Sequence, residues 1–168
     1  MVLYKDIEMG LLTSKRIKIN QLPLVRNASM IFKHALVRPP ADSFMRCISS
    51  HPLVHTVNIE VAREQHKNYC HILSELGLEI IELPPIHSLP DSCFVEDVAI
   101  IRNSTVLITR MAKASRLEEY KTIMKFFEDN TSFKILYTEP PATLEGGDVI
   151  HLDNSFICGI SQRTNENG

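Results

Sequence analysis

The sequence repeats itself at a spacing of 51 residues, and that spacing restricts the available folds more than any other feature. Asp97-Val98 returns as Asp148-Val149, and the turn pair Asn103-Ser104 returns as Asn154-Ser155. Each stretch reads as two apolar runs around a short polar turn: residues 98–101 with 106–109, then 149–152 with 156–160. That pattern is the signature of a β-hairpin. The same preamble precedes both hairpins. Ala62, Tyr69, Ile72, Leu73 and Leu76 lie near helical spacing, and Gly77 ends the run. A second helix is predicted over 117–128, with Tyr120, Ile123, Met124 and Phe127 on one face. A strand follows each helix, over 78–83 and 133–137, and then a loop with Pro84-Pro85 and Pro90 or with Pro140-Pro141.

The unit is therefore helix, strand, loop, hairpin, over about 51–54 residues. Repeated α/β units of this size imply stacking in which each unit leans on its neighbours. After the second hairpin only residues 161–168 remain, where the first copy enters its helix. The repeat thus leads to the expectation of a truncated chain with an open edge. Residues 1–28, with the basic stretch Lys15-Arg16-Ile17-Lys18, are expected to form a solvated tail. A strand over 29–37, ended by Pro39-Pro40, would open a folded domain spanning 29–168.

Composition narrows the function classes. A net charge of −2 gives no basic field for nucleic acid. No window reaches the ~18 uncharged apolar residues of a membrane span. Cys47, Cys70, Cys93 and Cys158 show no CxxC spacing, which disfavours a disulfide framework or a zinc ribbon and favours a reducing, cytoplasmic setting.

The densest polar cluster is 90–97, where Asp91, Glu96 and Asp97 fall just before an apolar strand. Clustered carboxylates suit a cation, and a planar guanidinium donates bidentately to paired carboxylates. A metal is the weaker reading, because no nearby histidine or aspartate spacing completes a shell. The loop 142–148, with Glu145-Gly146-Gly147-Asp148, occupies the equivalent place in the next unit. Two units would thus aim Asp97 and Asp148 from matching positions, and Gly-Gly allows either positive φ or close backbone approach. Arg116 and Arg163 follow the two hairpins and could clamp a carboxylate. Cationic and anionic grips together suit an amino acid with a charged side chain. Cys93 sits among carboxylates that disfavour a thiolate, so it reads as an inert thiol. His66 and His71 lie five apart and off one helical face, and His34, His51, His55, His87 and His151 form no ligand spacing.

These residues resemble the dimethylarginine dimethylaminohydrolases. The likeness is carried by Leu89-Pro90-Asp91, by 94–99, by Leu107-Ile108-Thr109-Arg110 with Ser115-Arg116, by 142–149 and by Ser161-Gln162-Arg163-Thr164-Asn165. It runs from about residue 30 to 168. The resemblance implies a five-fold α/β propeller of the pentein type, of which about three units would be present. It implies that Asp91, Glu96 and Asp97 hold the cationic head of a methylated arginine and that Arg116 and Arg163 grip its carboxylate, with no cofactor and no metal. In such enzymes a cysteine thiolate attacks the guanidinium carbon, an amine leaves, and water releases citrulline with a histidine as acid and base. The positions for that histidine and cysteine fall beyond Gly168, so the expectation is a substrate-holding half without turnover of its own. Rival readings are a related hydrolase of another guanidine, and a non-catalytic form that binds arginine derivatives or pairs with a second copy through the open edge.

Overall fold

The computed structural model describes residues 2–4, 33–51, 56–152 and 155–168. In chain order its elements are β1 (Val2–Tyr4), β2 (His34–Val37), α1 (Ile59–Glu75), β3 (Glu79–Glu82), β4 (Ala99–Arg102), β5 (Thr105–Ile108), α2 (Tyr120–Asn130), β6 (Lys134–Tyr137), β7 (Val149–His151) and β8 (Phe156–Cys158).

Local chemistry sets the boundaries. Asn58 caps α1, its side-chain oxygen accepting the N–H groups of Glu60 and Val61 at 2.9 and 3.2 Å. At the other end Gly77 adopts φ +90°. The Leu78 and Gly77 N–H groups then bond back to the carbonyls of Leu73 and Ser74, which satisfies the last turn. Asn103, at φ +51°, forms the tight turn that joins β4 to β5.

Two sheets share one topology. In the first, β1 runs antiparallel to β2, and β3 runs parallel to β2 with Ala35 opposite Ile80. In the second, β4 runs antiparallel to β5, and β6 runs parallel to β5 with Val106 opposite Ile135. In each, a helix carries the chain from an antiparallel pair to a parallel third strand, the connection that parallel pairing requires. β7 and β8 form a separate two-stranded sheet. Among the described residues the three sheets are open and none closes on itself.

One expectation fails at the amino end. Val2–Tyr4, read from sequence as part of a solvated tail, is instead the edge strand of the first sheet, paired with β2. Three residues carry too little periodicity to announce a strand, and their partner lies some thirty residues on. Residues 5–28 of the tail, and 29–32 of the strand expected over 29–37, lie outside the described residues.

The pleat of β2 divides the core. Leu36 faces the main cluster with Leu83, Val95, Val98, Ile101, Val106, Ile108, Ile123 and Phe127, while Ala35 and Val37 face a smaller cluster with Leu73 of α1. The second sheet and α2 thus supply most of the main cluster. Strand β4 of that sheet and strand β7 of the separate hairpin are each preceded by a short 3-10 turn, Val95–Asp97 and Gly146–Asp148, and these turns pack on each other.

Candidate functional site

The contact between the two turns explains the paired glycines. A Cβ at Gly146 would sit 2.1 Å from the carbonyl oxygen of Glu96, and one at Gly147 would sit 2.6 Å from Asp97 Oδ1. Of the two roles open to Gly-Gly, close approach is the one in force. The Gly147 N–H donates to Asp97 Oδ1 at 3.1 Å, which fixes that carboxylate from across the unit boundary.

Asp97 meets Arg116 at its other oxygen. Arg116 is 3% exposed and lies in the turn Ala114–Arg116 that follows β5. Its Nε and Nη2 donate to Glu119, at 3.1 and 2.9 Å, while Nη1 donates to Asp97 Oδ2 at 3.0 Å and to Glu145 Oε2 at 3.3 Å. Four of its five N–H donors therefore face carboxylates. Burial works to lower the Arg116 pKa. The hydrogen bonds and charges of Glu119 and Asp97 outweigh it and hold the guanidinium above its ordinary value. One guanidinium faces three buried carboxylates, so the cluster carries surplus negative charge. Burial accordingly pushes Asp97, Glu119 and Glu145 above the ordinary carboxylate range, against the opposing pull of Arg116.

Beside this cluster opens a cavity of about 200 Å³, lined by Ile48, Asp91, Phe94, Glu96, Asp97, Lys113, Arg116, Glu145 and Arg163. All five residues singled out in the sequence for substrate contact, Asp91, Glu96, Asp97, Arg116 and Arg163, reach it. Asp91 is buried and anchored by the Ile48 N–H at 3.0 Å. Arg163 lies at the rim, with its side chain 48% exposed and one contact to Glu145 Oε2 at 3.3 Å. The Arg116 guanidinium carbon stands 6.0 Å from the Phe94 ring centroid. Cys93 does not line the cavity, and burial together with Glu96 and Asp91 pushes its thiol up to about 12.

Two further acids belong to the site. Glu119 and Glu145 are among the most buried of the described residues, at 0% and 1% exposure. Glu145 is held by Thr164, whose Oγ1 accepts the Glu145 N–H at 3.1 Å. Its Oε1 is buried without a hydrogen-bond partner among the described residues, and so offers an acceptor to a donor entering the cavity. Sequence reasoning passed over both. Glu145 stood next to the flagged Gly-Gly, but Glu119 gave no signal beyond its spacing of three from Arg116.

The expected equivalence of Asp97 and Asp148 does not hold. Asp148 turns away from the cavity and accepts hydrogen bonds from Ser161 Oγ and Thr164 Oγ1, both at 2.7 Å. It fixes the loop that carries Arg163, so one aspartate faces the cavity and its counterpart supports the rim.

A model of the eukaryotic N,N dimethylarginine dimethylhydrolase family matches residues 37–168. The chain is 34% identical over 138 residues to the dimethylarginine dimethylaminohydrolase of Pseudomonas aeruginosa, covering 82% of this chain and 54% of the relative. It is 32% identical over 136 residues to the one from Streptomyces coelicolor, covering 81% and 52%. The solved structure of the Pseudomonas aeruginosa enzyme complexed with citrulline superposes with a TM-score of 0.78 at 33% identity, over 83% of this chain and 54% of that one. An arginine dihydrolase from cyanobacteria shares the fold at a TM-score of 0.69 and 21% identity, over 79% of this chain and 21% of that one. The chain spans about half the length of the curated relatives it matches. With the family model running through every carboxylate and arginine of the cavity, the chain belongs to the dimethylarginine dimethylaminohydrolase family.

Proposed function

We propose that this chain is the substrate-holding half of a hydrolase that converts methylated arginine to citrulline. The observation that carries the reading is the surplus of carboxylates at the cavity, where Asp91, Glu96, Asp97 and Glu145 outnumber the cations and burial lifts Asp97 and Glu145. A guanidinium entering there relieves that surplus and finds planar acceptors for its N–H groups. Asp91, Glu96 and Asp97 hold the cationic head, and Glu145 Oε1 accepts an N–H donor. Arg163 grips the ligand carboxylate from the rim. Arg116, most of whose donors are committed, contributes fixed charge and one remaining N–H.

Holding the guanidinium cationic and planar keeps its carbon electrophilic toward a thiolate. The family resemblance places the cysteine and histidine for that step beyond Gly168. Within these residues the reading is binding without turnover, on a partial pentein-type propeller of which the three open sheets are successive units. The apolar side chains exposed on β6, β7 and β8 favour pairing of the chain with a second copy.

The test is calorimetric titration of asymmetric dimethylarginine into the 168-residue chain, together with a citrulline assay in which the Pseudomonas aeruginosa relative is the positive control. Saturable binding without citrulline supports the reading. Citrulline release would place the nucleophile within this chain, and absence of binding would remove the site. A panel with arginine and simpler guanidino acids separates methylarginine hydrolysis from a related guanidine chemistry.

A further inference from the structure

Away from the cavity, α1 and β3 bring together three donors of a different kind. His66 and Cys70 are four residues apart on α1, so their side chains stack on one face of the helix, with Sγ 3.5 Å from Nε2. Glu82 ends β3, the strand against which α1 packs. A ring nitrogen of His66, Cys70 Sγ and a carboxylate oxygen of Glu82 all lie within 4.8 Å of one another. None of the three lines the carboxylate cavity.

We propose that His66, Cys70 and Glu82 form a zinc-binding site that clamps α1 onto the edge strand β3. Zinc takes sulfur, imidazole nitrogen and carboxylate oxygen at roughly 2.0–2.3 Å, which sets tetrahedral ligand atoms about 3.3–3.8 Å apart. The Sγ–Nε2 separation of 3.5 Å already falls in that range, and a carboxylate oxygen of Glu82 lies within 4.8 Å of its partners. Three protein ligands leave the fourth position to water. The mixed set selects the ion. Sulfur and nitrogen together favour zinc over magnesium or calcium, which require oxygen shells.

The surroundings suit an ion that enters from solvent. Cys70 packs against the Ala35, Val37 and Leu73 cluster, which fixes its position, while Glu82 stays exposed and leaves one side open. Burial lowers the His66 pKa, so the imidazole is neutral and its lone pair available near neutral pH. Burial and the Glu82 charge raise the Cys70 pKa, so the thiol carries its proton until a cation displaces it. On binding, the S–H bond breaks, the proton passes to solvent and the sulfur pair goes to zinc. The dication then offsets the repulsion between thiolate and carboxylate. Comparing histidines only with one another misses this group, because its ligands are a histidine–cysteine pair one turn apart and a glutamate from another element.

The chain, stripped with a chelator, is titrated with zinc against a chromophoric competitor. One equivalent is expected to bind, and zinc is expected to raise the thermal midpoint. Cys70→Ser and His66→Gln should each weaken binding by more than about 100-fold, beyond the 10–100-fold typical of outer-shell partners. Cys158→Ser should bind as the unaltered chain does. Cobalt(II) should give a thiolate-to-metal charge-transfer band that Cys70→Ser abolishes. Because half-buried helix positions tolerate these changes, circular dichroism of each variant should match the parent. As a second readout, zinc should slow alkylation of Cys70 and leave Cys158 untouched. Sub-stoichiometric binding, binding that survives Cys70→Ser, or protection of Cys93 in place of Cys70 would overturn the site.

Discussion

Asp97 Oδ1 accepts the backbone N–H of Gly147 at 3.1 Å, so the turn before β4 is tied to the corresponding turn before β7 at the wall of the cavity. The site is therefore shared between two sheets and depends on how closely their leading turns approach.

That approach makes the two glycines unequal. An alanine Cβ at position 146 would meet a backbone carbonyl at 2.1 Å, whereas at 147 it meets a side-chain oxygen at 2.6 Å. Gly146→Ala forces the turns apart and should cost about 1–3 kcal/mol, the range for overpacking. Gly147→Ala should cost less stability but turn Asp97 away, lowering affinity for a guanidinium ligand. Urea denaturation and ligand titration of both variants check the ordering, and equal effects on both measurements would contradict it.

Arg116 is the common partner of Asp97, Glu119 and Glu145. Arg116→Ala leaves these buried carboxylates without their cation and should destabilise the chain by about 3–5 kcal/mol, the cost of breaking a buried pair. Arg116→Lys should recover little of this, since one ammonium cannot span carboxylates bound at Nε, Nη1 and Nη2. Chemical denaturation of both variants decides it, and full recovery by lysine would show that charge alone matters.

Much of this architecture is written locally. The helices ended by Gly77 and before Phe133, the Asn103-Ser104 turn and the run Asp91–Asp97 all follow from residues near one another in sequence, and the structure places each close to its expected position. What could not be read depends on partners far along the chain. Val2–Tyr4 becomes a strand only because Leu36 and Ala35 wait for it. Asp97 and Asp148 share a sequence context, yet one meets Arg116 and the other Ser161 and Thr164. Repetition predicts the backbone position of a side chain but not which neighbour it finds.

Arg163 offers the contrasting case of a charge that holds no core together. Its side chain is half exposed and contacts only Glu145 among these acids. Arg163→Ala should leave the denaturation midpoint unchanged. It should weaken binding of asymmetric dimethylarginine by about 10–100-fold, the worth of a hydrogen bond to a charged group. A guanidine without a carboxylate should bind both proteins alike. Equal loss for both ligands would move Arg163 from the carboxylate end to the guanidinium end.

The last hairpin should govern association. Ile150 and Ile157 are cross-strand neighbours on β7 and β8, exposed by 54% and 53%. Phe156 on β8 is also exposed, as are Leu136 and Tyr137 on β6. Light scattering should show mass rising with concentration, and the double substitution Ile150→Lys with Ile157→Lys should restore a monomer. A monodisperse parent chain would refute this.

The carboxylate cluster also fixes how stability follows pH. Asp97, Glu119 and Glu145 have folded pKa values raised above the ordinary 3.8 and 4.5. Between those ordinary values and the raised ones, the folded chain binds more protons than the unfolded chain. Stability from these groups is therefore present at the acid end and is lost as pH rises through the window. Binding of a guanidinium runs the other way, since it gains as the same carboxylates ionise. His66, lowered by burial, adds an opposing rise in stability with pH near its ordinary 6.5. Glu119→Gln isolates one member of the cluster, because it removes one buried titration without touching His66. The urea midpoint of the parent chain should fall from about pH 4.5 upward relative to Glu119→Gln. Parallel profiles for the two proteins would show that Glu119 does not contribute to the pH response.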